Sequence, residues 1–448
     1  MSYIGSTPTT QSFIAGTDYF NGDGSTVAFT LSRSVVSVND IEAVINNVEQ
    51  QPNTAYTVSG TTITFTSAPS AGTGNIYVRY LSTTTQSITP SQNTVSYSTL
   101  NSDNQSKLGI SFKNRIINGA MTVSQRYGTS SSSATDSSFS LDRWKVSINS
   151  SATVSAVQST TAPAGFSNSL LYTVTSGSAT SSTQFFGFRQ GIEGYNIADL
   201  NLGSANAKTF TISFWVNCSL TGTYAVTLTN SDESQKYPTS YTVNTANTWE
   251  QKTITVTGST TATWNIANGL GLSLQFYPSL GTSYRGTANA WTASAIYGPS
   301  GLADFVATTG NTMYITGVQL EVGTQATTFD YRSYGTELQL CQRYAYLPLS
   351  GAGVVGLATY YSSTRFDAFV SFPTTMRTYP SLTAASGTNY YSVYRAGGAD
   401  SVNSLTLNEV NYNGCTVLNN TEANGTAGDS GWLYGADSAA KILFSAEL

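Results

Sequence analysis

Apolar and polar residues alternate with a period of two through much of this chain. In residues 210–217 the apolar Phe, Ile, Phe and Val alternate with Thr, Ser, Trp and Asn. The same alternation recurs at 41–45, 62–66, 76–80, 224–228 and 270–276. Successive residues of a strand point to opposite faces, so this pattern indicates half-buried antiparallel sheets. Turn signals rich in Gly, Asn and Ser separate the strands, and we therefore predict an all-β protein.

The composition indicates which residue types form the solvent-exposed surface of such a protein. Charged residues make up 10% of the 448 residues, against roughly 25% in typical soluble domains. The polar surface must therefore come from Ser, Thr, Asn, Gln and Gly. At about 150 residues per domain the length predicts about three domains, each large enough to bury its own core.

The composition also excludes several classes of site. The chain contains no His, so the usual zinc sites and the Ser-His-Asp and Cys-His catalytic systems are absent. The net charge of −5 argues against nucleic-acid binding through phosphate neutralisation. No apolar run approaches the roughly 20 residues that cross a bilayer, so we expect no membrane insertion. Cys218, Cys341 and Cys415 are odd in number and far apart, which predicts no disulfide framework.

The strand pattern divides the chain into four parts. Residues 1–81 are predicted to form a small β-sandwich module, and residues 82–112 form a polar, extended connector that cannot bury a face of its own. Residues 113–335 contain many short strands between Gly- and Ser-rich turns, which is typical of a jelly-roll sandwich. Residues 336–448 are predicted to begin with one short helix near 336–346 and to continue as a β-rich C-terminal tip.

Two local features of the central and C-terminal parts are predicted from single residues. Thr336 stands at the expected N-cap of the helix with Gln339 three residues later, which is the pattern of a capping box. Gly317 interrupts the closing strand at 313–322, and a glycine inside a strand predicts a β-bulge.

Three stretches of the sequence carry a resemblance to one family. The N-terminal part contains DYFNGDGSTVAFTL at 18–31 and ends in NIYVRY at 75–80. The central part contains RIINGAMTVSQR at 115–126 and ITGVQLEVGTQATTFDYRSYGTELQLCQRY at 315–344. The C-terminal part contains AFVSFPTTMRTYPSL and ends in KILFSAEL. These stretches resemble the virion-attaching module, the jelly-roll carbohydrate-binding-like module and the distal tip of bacteriophage tail fibres.

The resemblance implies a structural virion appendage that binds a host-cell surface glycan during adsorption. Its N-terminal module would dock on phage tail or adaptor proteins, its C-terminus would contact the host, and three copies would form a homotrimer. Such a protein would be made in the host cytoplasm and act outside the cell as part of the virion. Two alternatives remain open: a tailspike depolymerase that cleaves the polysaccharide, and a head fibre or another virion decoration.

Clustered aromatic residues near the C-terminus are the candidate glycan contacts. Sugar rings present apolar C–H faces on which Tyr and Trp rings can stack, while their polar groups form hydrogen bonds. The candidate receptor-binding residues are Tyr390, Tyr391, Tyr394, Trp432 and Tyr434. The alternative is that an adjacent tyrosine pair places one ring in the core and the other at a subunit interface.

The carboxylates do not form a catalytic pattern. Asp232 and Glu233 are the densest pair, but neighbouring residues on a strand point to opposite faces, whereas a retaining glycosidase needs two carboxyl groups about 5 Å apart across a cleft. We therefore predict a loop turn there and no catalytic residues. The segment 21–25, NGDGS, lacks the ligand alternation and distal Glu of a calcium loop and predicts a tight turn. No metal and no cofactor are expected, and the protein is predicted not to be an enzyme.

Overall fold

The computed structural model of the protein describes residues 16–81 and 113–448. The described part of the chain consists of antiparallel sheets with one short α-helix, which confirms the all-β prediction. The predicted connector at 82–112 lies outside the described residues. The chain divides into two compact units, residues 1–99 and 100–448.

The N-terminal unit is built on six strands that enclose a small core. The strands are β1 (Thr17–Gly22), β2 (Ala28–Val35), β3 (Ile41–Ile45), β4 (Val48–Glu49), β5 (Tyr56–Phe65) and β6 (Gly72–Tyr80). One sheet has the order β1-β6-β3-β4, and β2 pairs with β5 in a second sheet. Alternate residues of the strands, including Tyr56, Ile63, Ile76 and Val78, are fully buried between them. The predicted half-buried alternation therefore holds in this unit.

The predicted tight turn between β1 and β2 is held by one carboxylate. Asp23 accepts hydrogen bonds from the backbone N–H groups of Ser25 and Thr26 at 2.7 and 2.6 Å and from the Thr26 hydroxyl at 2.6 Å. These hydrogen bonds, the one from the Thr26 hydroxyl foremost, lower the pKa of Asp23. The carboxylate thus stabilises the turn from within the segment, as an Asx turn does.

The central part of the second unit is a sandwich of two six-stranded antiparallel sheets. Its strands are β7 (Ser132–Ser133), β8 (Phe139–Leu141), β9 (Trp144–Asn149), β10 (Thr153–Ser159), β11 (Ser169–Ser176), β12 (Phe185–Glu193), β13 (Phe210–Cys218), β14 (Gly222–Thr229), β15 (Lys236–Val243), β16 (Glu250–Val256), β17 (Leu270–Leu280) and β18 (Thr312–Val322). The sheet orders are β16-β13-β18-β11-β10-β7 and β15-β14-β17-β12-β9-β8. Three phenylalanine rings pack together in the core. The ring centroid of Phe276 lies 5.1 Å from that of Phe188 and 5.1 Å from that of Phe214.

The bulge predicted at Gly317 is present in β18. The pairing of β13 with β18 shifts register between Ser213 and Trp215, where Gly317 adopts φ +62°. A Cβ at this position would lie 2.6 Å from the Phe166 ring. Only glycine satisfies both the left-handed backbone and this close approach without strain.

The predicted helix is α1 (Tyr334–Gln342), and its N-cap differs from the predicted one. Ser333 occupies the N-cap, and its hydroxyl accepts a hydrogen bond from the Thr336 N–H at 3.3 Å. Thr336 therefore lies inside the first turn rather than at the cap. The prediction was wrong on this residue because both Ser333 and Thr336 can cap a helix and they stand three residues apart.

The C-terminal part of the second unit contains a three-stranded and a seven-stranded sheet. Its strands are β19 (Ala345–Ser350), β20 (Gly353–Ser362), β21 (Arg365–Ser371), β22 (Ser381–Ala384), β23 (Tyr391–Arg395), β24 (Gly398–Val402), β25 (Thr406–Asn408), β26 (Gly414–Asn419), β27 (Ser430–Gly435) and β28 (Lys441–Ser445). The orders are β19-β28-β22 and β24-β23-β27-β20-β21-β26-β25. The inner faces share one core that includes Tyr391, Leu433 and Phe444. The outer face of the larger sheet is therefore left to solvent.

Buried ion pairs tie the central sandwich to this C-terminal part. Glu193 at the end of β12 accepts hydrogen bonds from Arg343 at 2.6 and 3.0 Å and from the Tyr344 hydroxyl at 2.6 Å. Glu447 near the C-terminus pairs with Arg126 at 3.1 Å and with Arg143. The last residues of the chain are thus anchored in the central sandwich.

No helix in the described ranges is long and apolar enough to cross a membrane.

Candidate functional site

Three of the five predicted aromatic residues meet on the outer face of the seven-stranded sheet. Strands β23, β27 and β20 are neighbours, and their register places Tyr394 opposite Trp432 and Tyr434 opposite Val354. All four side chains lie on the solvent side of the sheet. We call these four residues, Val354, Tyr394, Trp432 and Tyr434, the aromatic face.

The aromatic face forms an open depression of about 580 Å³. Trp432 is 54% exposed and Tyr394 is 46% exposed. The rings of Tyr394 and Tyr434 meet edge to face, with centroids 5.4 Å apart and an interplanar angle of 89°. This contact fixes the orientation of both phenols while the Trp432 indole stays accessible. The arrangement can stack on an apolar ring face and can form hydrogen bonds at its rim.

The structure places Tyr391 in the C-terminal core and not on the aromatic face, which corrects its predicted exposure. Its side chain is fully buried, and its hydroxyl donates to the carbonyl oxygens of Ala385 and Lys441 at 2.7 and 2.8 Å. Burial raises the pKa of Tyr391 to about 12. The reason is strand parity: Tyr391 and Val393 point into the core, whereas Tyr394 lies on the exposed side of β23.

Tyr390 lies just before β23 and does not line the depression. Its side chain is half-buried and packs against the C-terminal core. The Tyr390 N–H donates to the Gly387 carbonyl at 3.2 Å, which closes the turn that leads into β23. Tyr390 therefore positions the strand that carries Tyr394 and does not itself contribute a ring to the aromatic face.

Two further exposed residues extend the apolar surface and were not identified from the sequence. Leu357 on β20 lies opposite Trp432, and Phe369 lies on the neighbouring strand β21. Each is 60% exposed. Each of the two stands next to a buried alanine in its strand, Ala358 in β20 and Ala368 in β21. Because neighbouring residues of a strand point to opposite faces, the period-two rule could have identified Leu357 and Phe369 as exposed.

Charged groups next to the aromatic face are engaged with protein partners. Arg395 donates to the Tyr360 hydroxyl at 2.9 Å and to the Asn424 carbonyl at 2.8 Å, and its guanidinium lies over the Tyr360 ring. Burial, followed by hydrogen bonding to Asp400, raises the pKa of Tyr360. Because no charged residue among those that the structure describes lines the depression, the surface that these residues offer to a ligand is neutral.

A second concave site lies in the central sandwich and was missed by the sequence analysis. Its lining includes Arg189, Glu233, Tyr284 and Tyr297, which come from separate segments of the chain. No short motif unites them, so only the folded sheet brings them together. Glu233 was predicted to lie in a loop turn, and it does lie in a turn, where its backbone adopts φ +53°.

Comparison with known proteins gives weak structural likeness only. No family model matches the chain, and no curated protein matches it. Three of the similar solved structures are the enzymatically active domain of bacteriophage CBA120 tailspike protein 4, the module TmCBM61 in complex with β-1,4-galactotriose, and a putative sugar binding protein from Bacteroides thetaiotaomicron.

The three likenesses have low identities and low TM-scores. The tailspike chain is 13% identical at a TM-score of 0.27, over 47% of this chain but only 21% of the tailspike chain. TmCBM61 is 12% identical at a TM-score of 0.25, over 47% of this chain and 99% of the module. The Bacteroides protein is 12% identical at a TM-score of 0.27, over 47% of this chain and 100% of the Bacteroides chain.

Proposed function

We propose that this chain binds a surface glycan of a bacterial host through the aromatic face and serves as a phage tail fibre. The observation that carries the proposal is the exposed Trp432 indole beside Tyr394, in a depression whose lining within the described ranges contains no charged residue. The resemblance of the three sequence stretches to phage fibres supports the role in adsorption. The virion is accordingly the proposed location, and the host glycan the proposed ligand.

The physical argument for a glycan rests on the shape and polarity of the depression. Sugar residues offer C–H faces that stack on indole and phenol rings and hydroxyl groups that reach the rim. The volume of about 580 Å³ falls within the roughly 300–1,000 Å³ that is usual for small-ligand sites. An open depression suits a polysaccharide that enters and leaves along the sheet surface.

Adsorption of the purified protein to host cells tests the aromatic face. We expect Trp432→Ala and Tyr394→Ala each to weaken binding about tenfold or more, since a lost ring contact costs roughly 1.4 kcal/mol or more. Tyr361→Ala is the matched control, because Tyr361 is an exposed tyrosine on β20 that does not line the depression. The proposal fails if both test variants fold normally and bind as well as the unchanged protein.

The neutral lining predicts how binding responds to salt and to chelators. Ionic contacts are screened by salt, whereas ring stacking is not. We expect adsorption to change little between low and high ionic strength and to persist with a chelator present. A steep loss of adsorption with salt, or its abolition by the chelator, would show that charged contacts or a metal ion were missed.

The N-terminal module is proposed to attach the fibre to tail or adaptor proteins. Its compact unit has its own buried core, which supports a separate role. A truncation that starts near Phe112 should fold and bind host cells but should not be incorporated into virions. Normal incorporation of the truncated protein into virions would refute the docking role. Imaging of virions that carry the labelled full-length protein distinguishes attachment to the tail from attachment to the head.

We propose binding without cleavage. A tailspike depolymerase would shorten the host polysaccharide during incubation and release new reducing ends. The expected result is an unchanged polysaccharide chain length after prolonged incubation with the full protein. Shortened polysaccharide would establish the depolymerase alternative.

A further inference from the structure

A concave site on the outer side of the central sandwich is built from groups that complement a sugar. We call it the central cleft and define it by Arg189, Gln275, Glu233, Tyr284 and Tyr297. Its volume is about 250 Å³. Arg189 and Gln275 are paired across β12 and β17, on the side opposite the core residues Phe188 and Phe276. The cleft therefore lies outside the hydrophobic core.

Arg189 supplies hydrogen-bond donors that no residue in the described part of the chain accepts. Its half-buried guanidinium makes no hydrogen bond or ion pair with any residue in the described ranges. Lys145 lies directly opposite on β9, and two cations in this position repel each other. Burial, followed by the charge of Arg189, lowers the pKa of Lys145, while Glu447 and Asp136 act against that shift. Arg189 is thus held at the cleft without an acceptor among the residues at 16–81 and 113–448.

Glu233 supplies an acceptor on the same cleft. One carboxylate oxygen accepts a hydrogen bond from the Tyr297 hydroxyl at 2.5 Å, and within the described part of the chain the other oxygen accepts none. Its backbone lies in the left-handed region at φ +53°, a conformation that costs energy for a residue other than glycine and is concentrated at functional sites. The strained backbone of this turn therefore holds the Glu233 carboxylate at the cleft at a cost in conformational free energy.

Aromatic rings and a fixed amide form the wall of the cleft. The ring centroids of Tyr284 and Tyr297 lie 5.9 Å apart at 86°, and those of Tyr277 and Tyr297 lie 5.7 Å apart at 71°. The Tyr277 hydroxyl donates to the Gln275 side-chain oxygen at 2.5 Å, and the Gln275 amide nitrogen donates to Thr229 at 3.1 Å. These contacts hold the wall in one geometry before any ligand arrives.

We propose that the central cleft is a second glycan-binding site, separate from the aromatic face, that holds one neutral sugar residue. One hydroxyl donates to Glu233, a neighbouring hydroxyl accepts from Arg189, and the C–H face packs on Tyr284 and Tyr297. Among the described residues that line the cleft, Arg189 is the cation and Glu233 and Asp136 are the carboxylates, so the site has no excess positive charge to attract an anionic sugar. The volume of about 250 Å³ lies just below the roughly 300–1,000 Å³ that is usual for drug-sized ligands, which fits a single residue of a longer glycan.

Calorimetric titration of the full chain carrying Trp432→Ala isolates the cleft from the aromatic face. The probes are the neutral oligosaccharides maltotetraose, cellotetraose and β-1,4-galactotetraose, with tetragalacturonate as the acidic comparison. We expect at least one neutral probe to bind at one site per chain. Adding Arg189→Ala or Tyr284→Ala should weaken that binding about ten- to a hundredfold, as expected for a hydrogen bond to a charged group or a lost ring contact.

The matched control is Tyr195→Ala, which removes an exposed tyrosine of the central sandwich outside the cleft lining. It should leave binding unchanged. The proposal is overturned if no neutral probe binds, if only tetragalacturonate binds, or if Arg189→Ala and Tyr284→Ala bind as the parent does. Failure of the aromatic face would appear instead as unchanged host adsorption by Trp432→Ala, so the two proposals fail separately.

Discussion

Glu193 shows how a single carboxylate joins two parts of the molecule. Burial alone would raise its pKa, but hydrogen bonds from Arg343 and Tyr344 outweigh burial and lower it. The charged form is therefore favoured by folding. Its contribution to stability is fully present above the ordinary pKa of a glutamate and is lost as the pH falls through the lowered pKa.

Removing the charge of Glu193 should destabilise the second unit at neutral pH. We expect Glu193→Gln to lower the free energy of unfolding by roughly 2–4 kcal/mol, because Arg343 loses its partner at a largely buried site. The variant should also lose less stability than the parent between pH 7 and pH 3. Urea unfolding at both pH values measures this, with Glu409→Gln as the exposed control. Equal unfolding free energies for variant and parent at pH 7 would contradict the linking role.

At the level of single residues, the sequence showed which aromatic side chains cluster near the C-terminus, but not which of them are exposed to solvent. Tyr394, Trp432 and Tyr434 were predicted as one group and do share a depression, although their binding role is still a prediction. Tyr391 was misplaced because the first residue of β23 could not be assigned to a face without knowing where the strand begins. Arg189 was missed because its significance lies in its position at the cleft, where its guanidinium bonds to no acceptor in the described ranges, and only the folded sheet reveals this position.

The elements with long apolar alternation were predictable, and their ends were not. The strands around Phe210 and Leu270 were predicted from their apolar alternation, and their apolar residues do line the core. Their polar residues Ser213, Ser273 and Gln275 are buried as well, so the prediction that only one face is buried was wrong for much of these two strands. Helix α1 was also expected, but its start depends on a competition between two capping residues that local sequence does not resolve.

The capping assignment of α1 can be tested directly. Ser333→Ala should lower the free energy of unfolding by about 1 kcal/mol, since the Thr336 N–H loses its acceptor. Thr336→Ala should have a smaller effect, because that residue lies within the first turn and not at the cap. Thermal or urea unfolding of both variants provides the comparison. A larger loss for Thr336→Ala would restore the capping box predicted from sequence.

For the molecule as a whole, we predict a homotrimer held without covalent links between chains. Cys218, Cys341 and Cys415 are all buried and free, and burial raises the pKa of Cys415 to about 12, which disfavours the reactive thiolate. Reducing agent should therefore leave the oligomer intact. Sedimentation at micromolar concentration measures the state, and a stable monomer there would contradict the trimer.

The exposed apolar surface also bears on how copies of the chain could meet. Leu357 and Phe369 extend the aromatic face across four neighbouring strands, and exposed apolar patches mark either ligand sites or protein interfaces. If the aromatic face contacts a glycan, Trp432→Ala should sediment like the parent. A shift toward monomer in this variant would instead favour the subunit-interface alternative for these rings.

Hydroxyl-radical footprinting of the assembled protein, with and without purified host polysaccharide, examines the aromatic face in place. Side chains that are exposed in the free protein become protected from oxidation only where the glycan covers them. We predict that Trp432 and Tyr394 are oxidised readily without polysaccharide and are protected several-fold at saturation, while the exposed Tyr361 keeps its rate. Protection that is already complete without polysaccharide, or an unchanged rate at Trp432 when the polysaccharide is bound, would contradict glycan recognition by this surface.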